Sequence, residues 1–257
     1  MNLGEMLRRN ATCYPDKTAL VFEDLRLSYR QFNDRVNRVA QSLLELGVKK
    51  GDNVASMLSN CPEALEVYFA VAKIGAVVVP INPMVKGKDL AMQLDNADSV
   101  AIIVGEEYIS EVDAIREDLG KIPPQRYLVV GEAPNSNYSS YRDLRNQSSA
   151  AEPNIEVEEN DVYNIMYTSG TTGLPKGIVM THRIRLLYAM FFGVEYGVGY
   201  DSRILSSGAI YFNGSFIFLM ACFFAGGTFV LLRKFDATEV LKTIKKEKIT
   251  HSFMVPT

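Results

Sequence analysis

Apolar residues follow two rhythms along the chain, and the alternation between them predicts the architecture. Residues 18–22 and 25–29 are short β-prone runs on either side of Glu23-Asp24, which predicts a hairpin. Ser28 and Gln31 then have the spacing of a capping box, and Phe32, Val36, Val39, Ala40, Leu43 and Leu44 recur at helical intervals until Gly47. A turn at 49–52 leads into an apolar run at 54–58. Pro62 suits the first position of the next helix, which carries Leu65, Phe69 and Ala72 on one stripe and stops near Gly75.

From here the pattern repeats. Apolar runs at 76–79, 100–104 and 127–130 alternate with helical stretches at 88–96 and 111–119. Continuous Val/Ile runs between helices predict an α/β fold, with mainly parallel sheets covered by helices on both faces. Residues 135–160 break the rhythm, being rich in Asn, Ser, Ala and acidic side chains, and read as a surface excursion. Beyond them, 178–181, 204–206 and 228–232 read as strands, 184–196 as a helix rich in Leu, Met, Phe and Tyr, and 216–225 as a buried helix. Asp236 and Glu239 are placed to box the start of a last helix, the lysines at 242, 245, 246 and 248 suit its C-terminal end, and 249–255 is the closing strand. The chain shows no internal repeat and no low-complexity tract.

Composition narrows this picture at a few points. With 257 residues and 47% hydrophobic content the chain can bury a sizeable core. A net charge of −3, from 27 basic and 30 acidic residues spread along the sequence, leaves no footprint for nucleic acid. Cys13, Cys61 and Cys222 are far apart, with only two histidines to help them, so disulfide and zinc readings fail and a reducing cytoplasm is expected. The first ten residues lack the apolar stretch of a signal peptide, and the apolar window at 216–225 is too short for a membrane span of about twenty residues.

Chemistry concentrates in Tyr167-Thr168-Ser169-Gly170-Thr171-Thr172-Gly173-Leu174-Pro175-Lys176-Gly177, directly after the apolar run at 162–166. A polyphosphate needs several donors converging on its oxygens and no bulky side chain in between. Gly170, Gly173 and Gly177 let the main chain approach closely. Thr168, Ser169, Thr171 and Thr172 add hydroxyl donors to an amide concavity, and Lys176 adds a mobile positive charge. The stretch is not a Walker A loop, since Pro175 precedes Lys176 and Gly177 follows it where that loop needs Gly and Ser/Thr. Nor does it contain the G-x-G-x-x-G of a dinucleotide fold.

This stretch resembles the signature loop of the adenylate-forming, or AMP-binding, superfamily, which includes acyl-CoA synthetases, luciferases and the adenylation domains of peptide synthetases. The segments at 69–83 and 226–257 are similar to further segments of the same superfamily, so the resemblance covers essentially the whole chain. It implies the N-terminal part of the large domain, with a subdomain division near 150–165 and with the C-terminal small domain and the later motifs beyond Thr257. It also implies ATP, magnesium and coenzyme A as cofactors. The activity implied is ATP-dependent conversion of a carboxylic acid to an acyl-adenylate and then to a coenzyme A thioester. The alternatives are another adenylation enzyme, of peptide-synthetase or luciferase type, and a nucleotide-binding fragment with no activity of its own.

By the same resemblance Thr168, Ser169, Gly170, Thr171, Thr172, Gly173 and Lys176 would hold the β- and γ-phosphates, with Lys176 the catalytic cation. Tyr211, Phe212, Asn213 and Gly214 fall where related ligases place an aromatic residue or histidine beside the acyl pocket, with Phe191 and Phe192 as further candidates. The flanking segments at 188–192 and 211–224 hold no lysine or arginine, so an apolar, fatty-type acid is expected. A metal site made by the protein is not expected, and homo-oligomerisation stays open. The 257 residues by themselves are expected to form no acyl-CoA. For His182, a substrate-side role and a strand-end histidine satisfied by a neighbour both remain open, while His251 reads as a core or rim histidine.

Overall fold

The computed structural model describes residues 1–133, 137–168 and 175–254. Its first element is a helix that the periodicity reading passed over. Asn2 and Glu5 close a capping box, each side chain bonded to the other's amide at 2.9–3.0 Å, and start α1 (Leu3–Cys13), whose Leu3, Met6 and Leu7 are buried. The expected hairpin follows as β1 (Thr18–Phe22) and β2 (Leu25–Ser28), with Phe22 paired to Leu25 across Glu23-Asp24. The Ser28–Gln31 box opens α2 (Tyr29–Glu45), which buries Phe32, Val36, Val39, Ala40 and Leu43 along one stripe.

β3 (Asn53–Met57), α3 (Pro62–Ile74), β4 (Val77–Pro80), α4 (Gly87–Asn96) and β5 (Ser99–Gly105) form the repeating unit anticipated from the Val/Ile runs. Gly75 ends α3 at φ +68°, a conformation that favours glycine. Where one helix was expected over 111–119, the chain forms only short α5 (Ile109–Asp113), with single 3-10 turns on either side. Here Arg116 lies over the Tyr127 ring at 3.8 Å and donates to the Asn137 carbonyl, a tertiary contact that outweighs continuation of a weakly amphipathic helix. β6 (Tyr127–Val130) follows.

The supposed surface excursion contains β7 (Ser139–Ser140) and α6 (Tyr141–Gln147). Arg145 of α6 reaches fully buried Glu66 at 3.0 Å, beside Arg35 at 3.1 Å and the Tyr141 hydroxyl at 2.9 Å. The apolar pattern could not register this contact because polar partners make it.

The remaining elements are β8 (Val162–Thr168), β9 (Lys176–Thr181), α7 (His182–Glu195), β10 (Arg203–Ser206), α8 (Asn213–Ala225), β11 (Thr228–Leu231), α9 (Ala237–Glu247) and β12 (His251–Phe253). Asp236 caps α9 by accepting the Glu239 amide at 2.9 Å, whereas the Glu239 carboxylate bonds Lys242 instead of closing the box.

The strands form two sheets, in orders β12-β10-β11-β1-β2 and β7-β6-β5-β3-β4-β8-β9. All pairings are parallel except β1–β2 and β8–β9, so each sheet carries an antiparallel hairpin at one edge. α3 lies in the layer between the sheets. Its apolar residues share one core with Leu20, Phe229 and Leu231 of the smaller sheet and with Val54, Val78 and Ile103 of the larger. The outer face of the larger sheet packs on α4 and α5 through Leu90, Leu94 and Val112, and that of the smaller on α9 through Val240. Helix, sheet, helices, sheet and helices thus succeed one another as layers.

Candidate active site

β8 and β9 pair antiparallel from Val162 opposite Thr181 to Thr168 opposite Lys176. The glycine-rich stretch therefore links the paired ends of a hairpin, with Thr168 and Lys176 facing each other and exposed at its mouth. The sequence candidates Ser169, Gly170, Thr171, Thr172 and Gly173 lie outside the described residues. Gly177 has a steric reason to lack a side chain: a Cβ there would stand 2.9 Å from Cγ2 of Ile165 on the partner strand.

The hairpin is anchored near both of its ends, on opposite sides of the sheet. Tyr167 donates through its hydroxyl to Asn96 Oδ1 at 2.7 Å, tying β8 to the end of α4. Tyr163 is fully buried, between the His182 ring at 5.1 Å and the Phe216 ring at 6.0 Å, and donates to the Tyr68 carbonyl in α3. Thr181 caps α7, and so places His182 in the first turn, beneath the hairpin.

Neither histidine faces the loop mouth. His182 is 0% exposed, accepts the Leu3 amide on Nδ1 at 3.3 Å, and leaves Nε2 without a partner among the described residues. Burial draws its pKa down to about 4, so the imidazole is neutral at physiological pH. His251 bonds the Thr250 hydroxyl and the Tyr196 carbonyl.

On the other side of α7, Tyr211 and Phe212 form a ring pair 4.6 Å apart just before α8, with Phe212 53% exposed and Tyr211 half-buried. Asn213 and Gly214 begin α8, and the Phe253 ring occupies the space above Gly214, where a Cβ would meet it at 2.6 Å. Phe191 and Phe192 are placed differently. Phe192 stacks on Tyr196 at 5.8 Å and lies 6.5 Å from Phe218, which itself stacks on Phe253. These rings line the α7–α8 face, and no ring contact joins them to Tyr211–Phe212 among the described residues.

Sequence reasoning missed Arg185. It is 1% exposed and donates through Nε to Asn164 Oδ1 at 2.8 Å, through Nη1 to Asn213 Oδ1 at 2.6 Å and through Nη2 to Met166 Sδ at 3.2 Å. Its guanidinium also lies 4.7 Å from the centre of the Phe216 ring. Burial lowers its pKa to about 10, which leaves it charged at neutral pH. Arg185 falls on the buried stripe of α7 with Leu186, Ala189 and Gly193, and a cation at a core position of that period was the available signal.

A cavity of about 340 Å³ lies elsewhere, at the C-terminal ends of β3, β5 and β6. Of the side chains lining it, Arg145 is paired with Glu66, Arg233 with Glu23, and Ser59 donates to Glu107. No group of three or more His, Cys, Asp or Glu side chains suited to a metal ion occurs among the described residues. No helix among them is long and apolar enough to cross a membrane.

The family described as AMP-binding enzyme matches residues 7–257. A crotonobetaine/carnitine–CoA ligase of Salmonella typhimurium is 32% identical over 265 residues, covering 99% of this chain and 51% of that protein. A putative acyl-CoA synthetase of Bacillus subtilis is 30% identical over 280 residues, with the same coverage. Among solved structures, an anthranilate CoA ligase in complex with anthranoyl-AMP superposes with a TM-score of 0.93 at 28% identity, covering 99% of this chain and 49% of that one. The inhibitor-bound N-terminal domain of FACL13 from Mycobacterium tuberculosis does so at 0.87 and 31%, covering 99% of this chain and 63% of that one. The chain spans about half the length of the curated relatives it matches.

Proposed function

The chain belongs to the family of AMP-binding enzymes, and we propose that its gene product is an acid–thiol ligase working in two steps. A carboxylate oxygen attacks the α-phosphorus of ATP and expels pyrophosphate; the thiol of coenzyme A then attacks the acyl carbon and releases AMP. The observation that carries this reading is the β8–β9 register, which sets Thr168 and Lys176 opposite each other at the open end of a hairpin whose tip has phosphate-binding composition.

Lys176 neutralises charge on the departing pyrophosphate, with the Thr168 hydroxyl as a neighbouring donor. Ser169, Gly170, Thr171, Thr172 and Gly173 complete the cradle in this reading. Stabilisation of this kind acts through fixed charge and position and needs no covalent intermediate on the protein. Magnesium arrives with the nucleotide; the described residues offer it no carboxylate set, and no step is assigned to it.

The acid is proposed to be predominantly apolar. Tyr211 and Phe212 present ring surface next to α8, and Arg185, which bonds the neighbouring Asn213, is also engaged by Asn164 and Met166. Such a pocket gains at most about 0.8 kcal/mol per added methylene, so homologous acids are graded in rate and not sharply separated. The test is pyrophosphate release from ATP and magnesium across straight-chain, aromatic and dicarboxylic acids, with the intact gene product. Graded turnover of apolar acids is expected. Preference for acetate or a dicarboxylate overturns the acid assignment, and ATP binding without release for any acid favours a nucleotide-binding module. A cytoplasmic location belongs to the same proposal.

A further inference from the structure

The segment that carries Tyr211 and Phe212 is gripped at both ends by buried polar side chains from elsewhere in the fold. Asn60, 4% exposed between β3 and α3, donates through Nδ2 to the carbonyls of Gly208 and Leu232, both at 2.9 Å. Its Oδ1 accepts the Ile210 amide at 3.0 Å. Both amide protons of Asn60 are thereby spent on main chain just past β10 and β11 of the smaller sheet, although Asn60 follows a strand of the larger one. At the far end Arg185 holds Asn213, and through Asn164 it fixes that position against β8, the strand that runs into the glycine-rich tip.

Arg185 does this without a carboxylate partner among the described residues, its nitrogens facing two amide oxygens and a thioether. Burying an uncompensated cation is costly, and an apolar residue of similar volume would fill the site at lower cost. What such a residue lacks is a rigid fork, with donors at a set spread that hold β8 and the first turn of α8 at one separation. Between the two anchors only Tyr211 and Phe212 are left without a side-chain hydrogen bond, and they stand where the chain opens to solvent.

We infer that Asn60 and Arg185 are positioning residues that tune which acid is accepted by fixing where the Tyr211–Phe212 pair stands. The inference rests on the ligase reading. Loosening either anchor lets the rings shift, and acids of different length then meet a less defined wall. Asn60 bonds main chain at Gly208, Ile210 and Leu232, and Arg185 bonds Asn213 besides Asn164 and Met166 of β8, so acid selection moves further than ATP use.

The test compares Asn60→Ala, Arg185→Lys and Asn213→Ala with wild type in the intact gene product. It measures kcat/KM over a straight-chain acid series, KM for ATP, melting temperature, and hydrogen exchange at the Ile210 amide. Asn213→Ala alters an exposed side chain, so it tests the Arg185 link even if the buried variants fail to fold. Expected is a flattening of the chain-length preference by about five-fold, with KM for ATP within about two-fold of wild type. Faster Ile210 exchange is expected in Asn60→Ala, and Arg185→Lys should resemble Asn213→Ala because an ammonium cannot span both asparagines. An unmoved acid profile in Asn213→Ala, or an equal loss for every acid and ATP together, overturns the inference and leaves the ligase reading intact. A wild type that releases no pyrophosphate with any acid overturns both.

Discussion

Two hairpins close the edges of two parallel sheets, and they are built differently. β1–β2 turns in two residues, Glu23 and Asp24, with Glu23 at φ +52° and its carboxylate on Arg233 at 2.9 Å. β1 is almost wholly buried. β8–β9 instead separates its paired ends, Thr168 and Lys176, by residues 169–175, and β9 is largely exposed. A hairpin needs only two residues to reverse direction, so the first connection is no longer than closure requires and the second, with its additional glycines and hydroxyls, exceeds it. The second hairpin also stands on a buried histidine and an arginine with no ion-pair partner among the described residues, whereas the first stands on aliphatic core.

The largest effect that separates the two concerns acid. His182 is buried neutral, with a pKa near 4 against 6.5 when exposed, so the unfolded chain binds more protons in that window. Its contribution is fully present above pH 6.5 and is lost as the pH falls toward 4, amounting to about 3 kcal/mol. Denaturant titrations of wild type and His182→Gln at several pH values check this; a slope unchanged by the substitution removes His182 as the cause.

Lys176→Ala should lower the adenylation rate about 100-fold while the melting temperature stays put, because the side chain is exposed and its proposed role is to neutralise the departing phosphate. Equal kinetics for wild type and variant would make the second hairpin as structural as the first.

Gly177→Ala forces a methyl group against Ile165 and should destabilise by about 1–2 kcal/mol, measured by the shift in denaturation midpoint. Adenylation then falls through loss of register, and a stable variant with normal activity would show that the close approach of β9 to β8 is dispensable.

The smallest effect belongs to the first hairpin. Glu23→Gly relieves a left-handed glutamate and removes a surface ion pair, two terms of about 1 kcal/mol or less and of opposite sign. Stability within about 0.5 kcal/mol of wild type and unchanged catalysis are expected from denaturation and pyrophosphate assays; a large change in activity would erase the distinction between the hairpins.

The local rhythm of the sequence was a good guide wherever burial is apolar. β3, β4, β5 and β6 lie on the Val/Ile runs, α2 begins at its capping box, and α8 occupies the apolar window read as a buried helix. The same rhythm failed where polar side chains do the joining. α6 was hidden in a polar stretch because Arg145 packs against Glu66, and the run at 111–119 was overextended because Arg116 leaves the helix direction for Tyr127 and Tyr138.

The site divides along the same line. Sequence alone put the glycines, hydroxyls and one lysine of 167–177 in order, and the proposed phosphate chemistry rests on that order. It also determined the α/β class, because burial on both faces of a sheet leaves continuous apolar runs. Tertiary structure alone decided that two sheets form and that β1 joins β11 from the far end of the chain. It likewise decided that His182 is sealed beneath the hairpin, and that Asn60 and Arg185 converge on the segment before α8. The reason is physical: a residue's preference for water or core is a property of its own side chain and leaves a period in the sequence, whereas a hydrogen bond across 150 residues, as between Asn60 and Ile210, depends on a partner that no local pattern names.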